Sequence, residues 1–423
     1  WKKNPSVQYE QIRDAKFKVL WDAFTYFLDT EWNKKTSRAG SLAGFIEKNR
    51  FWLEDYAVFR VLKDVFGWKS WTEWEYDFKH RNPAAIEAFV KAHEPQALFF
   101  KYLQWVADSQ WKKAKQEAEV SGVRFLGDLP FMVNQESADV WSRQNEFDLS
   151  CSIGAPPDEF SSDGQKWGLP AYRWDAIESS GFYWWKQRAK QAAGLYDIFR
   201  IDHVVGFFRT WMIPYDKSHK PDFDLKDEHL QKERGKRFLM AVAEAGFPAL
   251  PVGEDLGLIP PFVRQTLAAL SIPGYKVMRW EKEGGHYRDP AGYPPVSIAT
   301  TSTHDTETMA EWWNTADAAE KKLFWKMAGG ESSRKIPSFK IARDRILERV
   351  MKSASVFVII PVQDMLGSTE RINTPGTMGG HNWSYKFPFE AEKAFSSRPL
   401  KARGEVFKKI VAAGGRGSAS SKL

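Results

Sequence analysis

The sequence predicts an α/β fold: a parallel (β/α)8 TIM barrel, N-terminally incomplete, with an added helical subdomain. Three observations carry this expectation. From Gly122 onward, short apolar runs alternate with amphipathic helical patterns, the rhythm of parallel strands joined by crossover helices. Most of these runs end in polar or acidic residues, and a barrel keeps its active-site loops at the C-terminal ends of its strands. Residues 1–121 lack that rhythm and carry aromatic stripes at helical spacing instead.

In chain order, Trp52, Tyr56, Phe59 and Phe66 recur along one helix face, and Gly67 stops the pattern. Phe99, Tyr102, Trp105 and Val106 mark a second helix. Rings at this spacing read as core. No internal repeat is visible. The expected strands are 123–126, 197–199, 250–252, 275–278, 296–299 and 356–362, and segments 261–270 and 342–351 read as crossover helices. Six strands are two short of a barrel, and sequence upstream of Trp1 is expected to supply the others. An open doubly wound sheet would also place ligands at strand ends, but no glycine-rich dinucleotide loop follows any run. The organisation is a helical region at 1–121, barrel strands with the catalytic residues at 122–412, and a flexible tail at 413–423.

Composition narrows the function. With 423 residues, 43% apolar and 27% charged, the chain has ample core, and its longest apolar run is too short to span a membrane. Cys151 is the sole cysteine, so disulfides do not hold the fold and a reducing compartment is expected. Cys151 reads as part of a Ser/Gly/Pro loop without a nearby base, a poor setting for a nucleophile. The net charge of +7 could attract nucleic acid. Basic residues are interspersed with acids, however, and no zinc spacing, recognition helix or phosphate loop accompanies them, so a solvated surface and no nucleic-acid partner are expected. Several of the 20 tryptophans fall in loops, where aromatic faces suit sugar rings. Because the chain begins at Trp1, its natural start and any targeting peptide are expected upstream. It ends in Ser421, Lys422 and Leu423, an address read by the peroxisomal import receptor; peroxisome is the expected location, with cytoplasm or plastid as alternatives.

The chemistry centres on Tyr196-Asp-Ile-Phe-Arg-Ile-Asp-His203. An apolar strand delivers Asp202, and Arg200 shares its face two residues earlier. A guanidinium beside a carboxylate keeps it ionised, which suits a nucleophile rather than a proton donor. Glu254 and Asp305 follow two later runs. Three carboxylates around one barrel mouth cannot all ionise cheaply, and Glu254, with no arginine two residues before it, is the better proton holder. An ionised nucleophile with a protonated acid is what retaining glycoside chemistry requires. Metal ligation by His203 with Asp202, or His304 with Asp305, is the chemical rival. These adjacent pairs do not match common zinc motifs, and Arg200 would oppose a cation.

The ordered motifs Trp52–Phe59 (WLEDYAVF), Gly127-Asp-Leu-Pro130, Ser137–Trp141 (SADVW), Gly154–Ser161 (GAPPDEFS), Gly164–Trp174 (GQKWGLPAYRW), Arg200-Ile-Asp-His203, Gly253–Gly257 (GEDLG), Thr303-His-Asp305, Arg371–Thr377 (RINTPGT) and Asn382-Trp383 together resemble glycoside hydrolase family 77, the amylomaltase or disproportionating 4-alpha-glucanotransferases. The resemblance covers most of residues 40–390. It implies transfer of alpha-1,4-glucan segments among maltooligosaccharides and starch or glycogen chains by a retaining double displacement, with no cofactor and no metal. By resemblance Asp202 is the nucleophile, Glu254 the acid/base and Asp305 the third carboxylate, with His304 beside it. Arg200 orients Asp202, and Asp128 lies near the centre. Gln165 and Trp167 sit on a mobile loop that closes over the glucan, Asn373 lies in an opposing loop, and Glu283 aligns with an acidic substrate contact. The resemblance implies a further N-terminal region, expected upstream of Trp1. Rival readings are an alpha-glucan hydrolase with the same carboxylates and a non-catalytic glucan-binding remnant.

Overall fold

The structure, a computed structural model, describes residues 4, 6–157, 163–216, 219–331, 335–377, 379–394 and 396–416. Ser421, Lys422 and Leu423 lie outside the described residues, as do residues 158–161 of the Gly154–Ser161 motif. The chain divides into two units, Tyr9–Val252 and Gly253–Leu423 together with Trp1–Gln8.

The first unit opens with helices, among them Arg50–Val65 and Glu94–Val120. The expected aromatic stripes run along these two helices, with Phe66 just past the end of the first; Phe59, Phe99, Tyr102 and Trp105 are buried, and Trp52 and Tyr56 partly so. Local chemistry sets the helix starts. Thr36 accepts the Ala39 N–H, and Asn82 accepts the Ala84 N–H ahead of Pro83, so side chains satisfy first-turn donors. The strands of this unit are β1 (Leu126–Leu129), β2 (Phe147–Ala155), β3 (Gln165–Tyr172), β4 (Ile198–Ile201), β5 (Trp211–Pro214), β6 (Asp222–Phe223) and β7 (Leu250–Gly253, whose last residue belongs to the second unit). β1 and β4 pair in parallel with Asp128 opposite Arg200. The Leu250 N–H donates to the Asp197 carbonyl at 3.0 Å. The core behind β4 is aromatic: the Phe207 and Phe238 rings stack at 3.7 Å, with Trp185 edge-on to both.

A second sheet in this unit, antiparallel in the order β3-β2-β5-β6, corrects two sequence expectations. The stretch holding Gln165 and Trp167 is strand β3, not a loop. Gly168 and Pro170 hide it, because both residues argue against a strand when read alone, and the β2–β3 register shifts twice where they sit. Cys151 likewise lies buried on β2. Burial, aided by Asp148, pushes its thiol up to about 11, so it is no thiolate at neutral pH.

The second unit holds β8 (Gly274–Val277), β9 (Lys282–Glu283), β10 (His286–Tyr287), β11 (Ser297–Thr300) and β12 (Phe357–Ile359). Gly253 pairs with Gly274, and β8, β11 and β12 follow side by side in parallel. Helices Pro261–Ala269 and Phe339–Met351 fall where crossovers were expected. Trp313, Phe324, Ile346 and Val350 form the core beside β11. Each expected strand overlaps an observed one, the 123–126 run by Leu126 alone. β1 begins only at Leu126, since Val123 is half exposed and gains little from pairing. β12 stops at Ile359, since Pro361 leads into the helix Val362–Leu366 and cannot extend a ladder.

Candidate active site

In the first unit, strand register builds a carboxylate pair around one guanidinium. Asp128 and Arg200 are direct neighbours on parallel strands, so their side chains share a face. Arg200 Nη1 donates to Asp128 Oδ1 at 2.8 Å, and Nη2 meets Asp202 Oδ1 at 2.6 Å. The Phe131 N–H donates to Asp202 Oδ2 at 3.2 Å. Both oxygens of Asp202 are therefore fixed, while about a third of the side chain stays exposed. Charge-assisted bonds of this kind are short and directional. Gly127 matters beneath them. A Cβ there would come within 2.2 Å of the Tyr196 ring, so only glycine lets that ring lie against β1.

His203 follows Asp202 with φ +43°, the left-handed region that non-glycine residues rarely adopt. Its ring lies 5.4 Å from Phe131 and 4.9 Å from Trp167, edge-on to the indole. Burial pushes its pKa down to about 4, against the opposing pull of Asp202 and with a further push from Arg200. It is a neutral imidazole at neutral pH. Trp167 Nε1 donates to Gln165 Oε1 at 3.1 Å, a same-face pair two residues apart on β3. The strand is anchored at its far end where the Tyr172 hydroxyl donates to the Phe131 carbonyl, one residue that also donates to Asp202. Beside Asp128 lies a cavity of about 290 Å³ lined by Trp52, Tyr56, Trp184, Arg188 and Tyr196.

In the second unit, Glu254 directly follows β7, and its Oε1 accepts the Leu256 N–H at 3.3 Å. The next residue fixes this turn. Asp255 is buried, and its carboxylate accepts from the Tyr275 N–H at 2.6 Å and Arg264 Nε at 3.0 Å. Burial raises its pKa, with those donors and Lys276 opposing. A Cβ on Gly274 would come within 2.8 Å of that carboxylate, so glycine is needed for the approach.

Asp305 stands on the segment that leaves β11. Asn373 Nδ2 donates to Asp305 Oδ1 at 2.6 Å, and His304 Nε2 lies 3.1 Å from Oδ2. The Asn373 N–H donates to the His304 carbonyl at 3.0 Å, and Arg371 Nη2 to the Asp305 carbonyl at 3.2 Å. The exposed Trp383 ring lies 5.4 Å from His304. Further along, Arg279 grips Glu307 through its side chain at 3.0 Å and its carbonyl at 2.9 Å.

The structure thus brings Asp128, Arg200 and Asp202 together in one unit, with Gln165 and Trp167 joined to them through His203. It brings His304, Asp305 and Asn373 together in the other. Glu283 is different. It is about four-fifths exposed on the β9–β10 hairpin, with Arg288 Nε at 3.6 Å. Sequence reasoning missed Phe131 as the backbone donor to Asp202 and Arg371 as a partner of the Asp305 backbone; both lie in or beside quoted motifs, which was the available signal. Among the described residues no group of three or more His, Cys, Asp or Glu is placed to hold a metal ion, and no helix is long and apolar enough to cross a membrane.

Parallel strands that end in anchored carboxylates, flanked by aromatic rings, define an α/β enzyme of the carbohydrate-processing kind. Comparison with known proteins makes this specific. A family model described as 4-alpha-glucanotransferase, glycoside hydrolase 77, matches residues 1–391. The 4-alpha-glucanotransferase of Chlamydia caviae is 32% identical over 96% of this chain and 77% of its own length. The chloroplastic/amyloplastic 4-alpha-glucanotransferase of Solanum tuberosum is 33% identical over 97% of this chain and 70% of its own. Among solved structures, amylomaltase from Streptococcus agalactiae in complex with acarbose superposes with a TM-score of 0.84 at 26% identity, covering 98% of this chain and 81% of that one. The chain belongs to the 4-alpha-glucanotransferases of glycoside hydrolase family 77, and its activity is glucan transfer between alpha-glucans.

Proposed function

We propose that the chain moves alpha-1,4-glucan segments between maltooligosaccharides or longer glucans by a retaining double displacement, its parallel strands being six of the eight in a (β/α)8 barrel. Asp202 attacks the anomeric carbon and forms a glycosyl ester as the bond to the leaving oxygen breaks. Glu254 gives that oxygen its proton. The 4-hydroxyl of an acceptor glucan then loses its proton to Glu254 and displaces Asp202, restoring the Asp202 carboxylate and the protonated Glu254. Asp305, steadied by Asn373 and His304, holds sugar hydroxyls as the ring flattens toward an oxocarbenium ion. Gln165 and Trp167 line the approach to Asp202, where an apolar ring disfavours water as the acceptor.

The observation that carries this reading is the double hold on Asp202. Arg200 at 2.6 Å and the Phe131 N–H at 3.2 Å fix both oxygens of a carboxylate that remains accessible. Such a group is aimed before substrate arrives. Family membership supports the reaction class, and the acarbose bound to the Streptococcus agalactiae amylomaltase supports maltooligosaccharides as the substrates here. Incubation with maltotriose alone tests it. Longer oligosaccharides plus glucose are expected, and Asp202→Asn should lower kcat by at least about 10³-fold. Production of shorter sugars only, or an Asp202→Asn protein of ordinary activity, defeats the proposal.

A further inference from the structure

The segment 301–309 runs from the end of β11 into the helix Met309–Thr315 and carries His304 and Asp305. Its two roots converge on one side chain that the reaction above does not use. Asp364, in the first turn of Val362–Leu366, is wholly buried. Its Oδ2 accepts from Thr301 Oγ1 at 2.5 Å and from Ser302 Oγ at 2.6 Å. Its Oδ1 accepts from the Met309 N–H at 2.7 Å. The carboxylate thus ties the first residues of the segment to its last.

The middle of the segment is fastened separately, by Asn373 and Arg371 at Asp305 and by Arg279 at Glu307. Among the described residues, Asp364 alone hydrogen-bonds to both roots. A buried acid is a costly way to fill core space, since desolvation opposes its charge, and an apolar residue of similar volume would pack there more cheaply. What an apolar residue cannot do is accept three hydrogen bonds from two ends of one segment.

We propose that Asp364 is a positioning residue for glucan transfer: by holding both roots of segment 301–309, it fixes where Asp305 presents its carboxylate to the sugar. This rests on the reading of Asp305 as a catalytic carboxylate. The hold is a hydrogen-bond hold, not a charge effect. An asparagine amide oxygen can accept from Met309 while its two N–H groups donate to the two hydroxyls, which rotate to accept them.

The test compares Asp364→Ala, Asp364→Asn, Asp305→Asn and the Asp364→Ala/Asp305→Asn pair on maltotriose, with rates normalised to the folded fraction from thermal unfolding. Asp364→Ala is expected to lower kcat at least about tenfold with KM within about threefold of the parent. Asp364→Asn should recover to within about threefold. In the Asp305→Asn background, assayed at raised enzyme concentration, Asp364→Ala should cost less than about twofold more, because it acts only through Asp305. A tenfold loss that repeats in full in that background overturns the proposal, as does an Asp364→Ala rate per folded molecule equal to the parent's. If Asp364→Ala fails to fold, Ser302→Ala removes one of the three bonds and decides in the same way: a kcat loss confined to the parent background supports the proposal, and equal losses in both overturn it. An Asp305→Asn protein with full activity removes the role of Asp305 itself, a failure distinct from either.

Discussion

Asp202 and Asp305 each follow a parallel strand, yet they are held by different means. Asp202 takes its partners from the sheet. Arg200 stands two residues back on the same strand, Asp128 is its register neighbour on β1, and Phe131 follows that strand. The partners described for Asp305 come from outside the sheet. A neutral amide from Asn373, 68 residues further on, and its own neighbour His304 hold the carboxylate, and remote side chains hold the backbone. A strand position inherits rigidity from its ladder, whereas a loop position must be supplied with it by contacts from elsewhere. The first arrangement fits a group whose charge must be constant, the second a group that adjusts its grip on hydroxyls as a ring flattens.

The sharpest way to break this contrast is to remove the two holders in turn. Arg200→Ala strips the cation from between Asp128 and Asp202 and leaves two carboxylates facing each other. Mutual repulsion then favours protonation of one, and a protonated Asp202 is a poor nucleophile. We expect kcat to fall by about 10²-fold or more, with the activity that remains moved to higher pH. Arg200→Lys should recover little, since an ammonium cannot serve both carboxylates through a planar fork. Asn373→Ala removes one neutral hydrogen bond from Asp305 and should cost about tenfold in kcat without moving the pH profile. Equal losses with equal pH shifts in both variants would erase the distinction between a charge hold and a neutral one.

A smaller effect probes the strand-borne side alone. Burial holds His203 down to about 4, against an unfolded value near 6.5. Above the unfolded value both states are neutral and pH does not matter. As pH falls from about 6.5 toward 4, the unfolded chain takes up a proton that the folded one refuses, so stability is lost on acidification. His203→Asn keeps a residue that tolerates φ +43° and should remove this slope. Between pH 7 and 4.5 the parent should lose on the order of 1–3 kcal/mol more than the variant, read from urea midpoints. Parallel curves would show that the imidazole is not the group responsible.

How much of this could be read in the sequence follows the same division. The pairing of Arg200 with Asp202 was legible because strand periodicity alone puts i and i+2 on one face. The bond from Arg200 to Asp128 was not, because register between strands 72 residues apart is set by packing, not by local pattern. The Asn373 contact to Asp305 could be placed only by family resemblance, and Asp364 showed itself only as a polar residue after an apolar run. Glycine and proline concealed β3, and with it the fact that Trp167 stands on a strand. The six parallel strands were visible because short apolar runs alternate with helical patterns, although only β11 is buried along its whole length. Glu283 entered by resemblance alone, as an acidic substrate contact, and it stands on an exposed hairpin.

Trp167 supplies the finest test of what the ordered side of the site does. Its ring is edge-on to His203, the residue that follows the nucleophile, and its Nε1 is engaged by Gln165. Neither contact holds Asp202 itself. Removing the indole should therefore leave formation of the glycosyl ester largely intact while opening its surroundings to water. Water and a glucan hydroxyl compete for that ester, and an apolar face tips the competition by excluding the smaller, unstacked acceptor. Trp167→Ala should raise the ratio of hydrolysis to transfer on maltotriose by about three- to tenfold, with total turnover changed less than about tenfold. If the ratio stays fixed while total turnover collapses, the ring supports the nucleophile rather than shielding its product, and the strand-borne half of the site depends on β3 as well as on its own ladder.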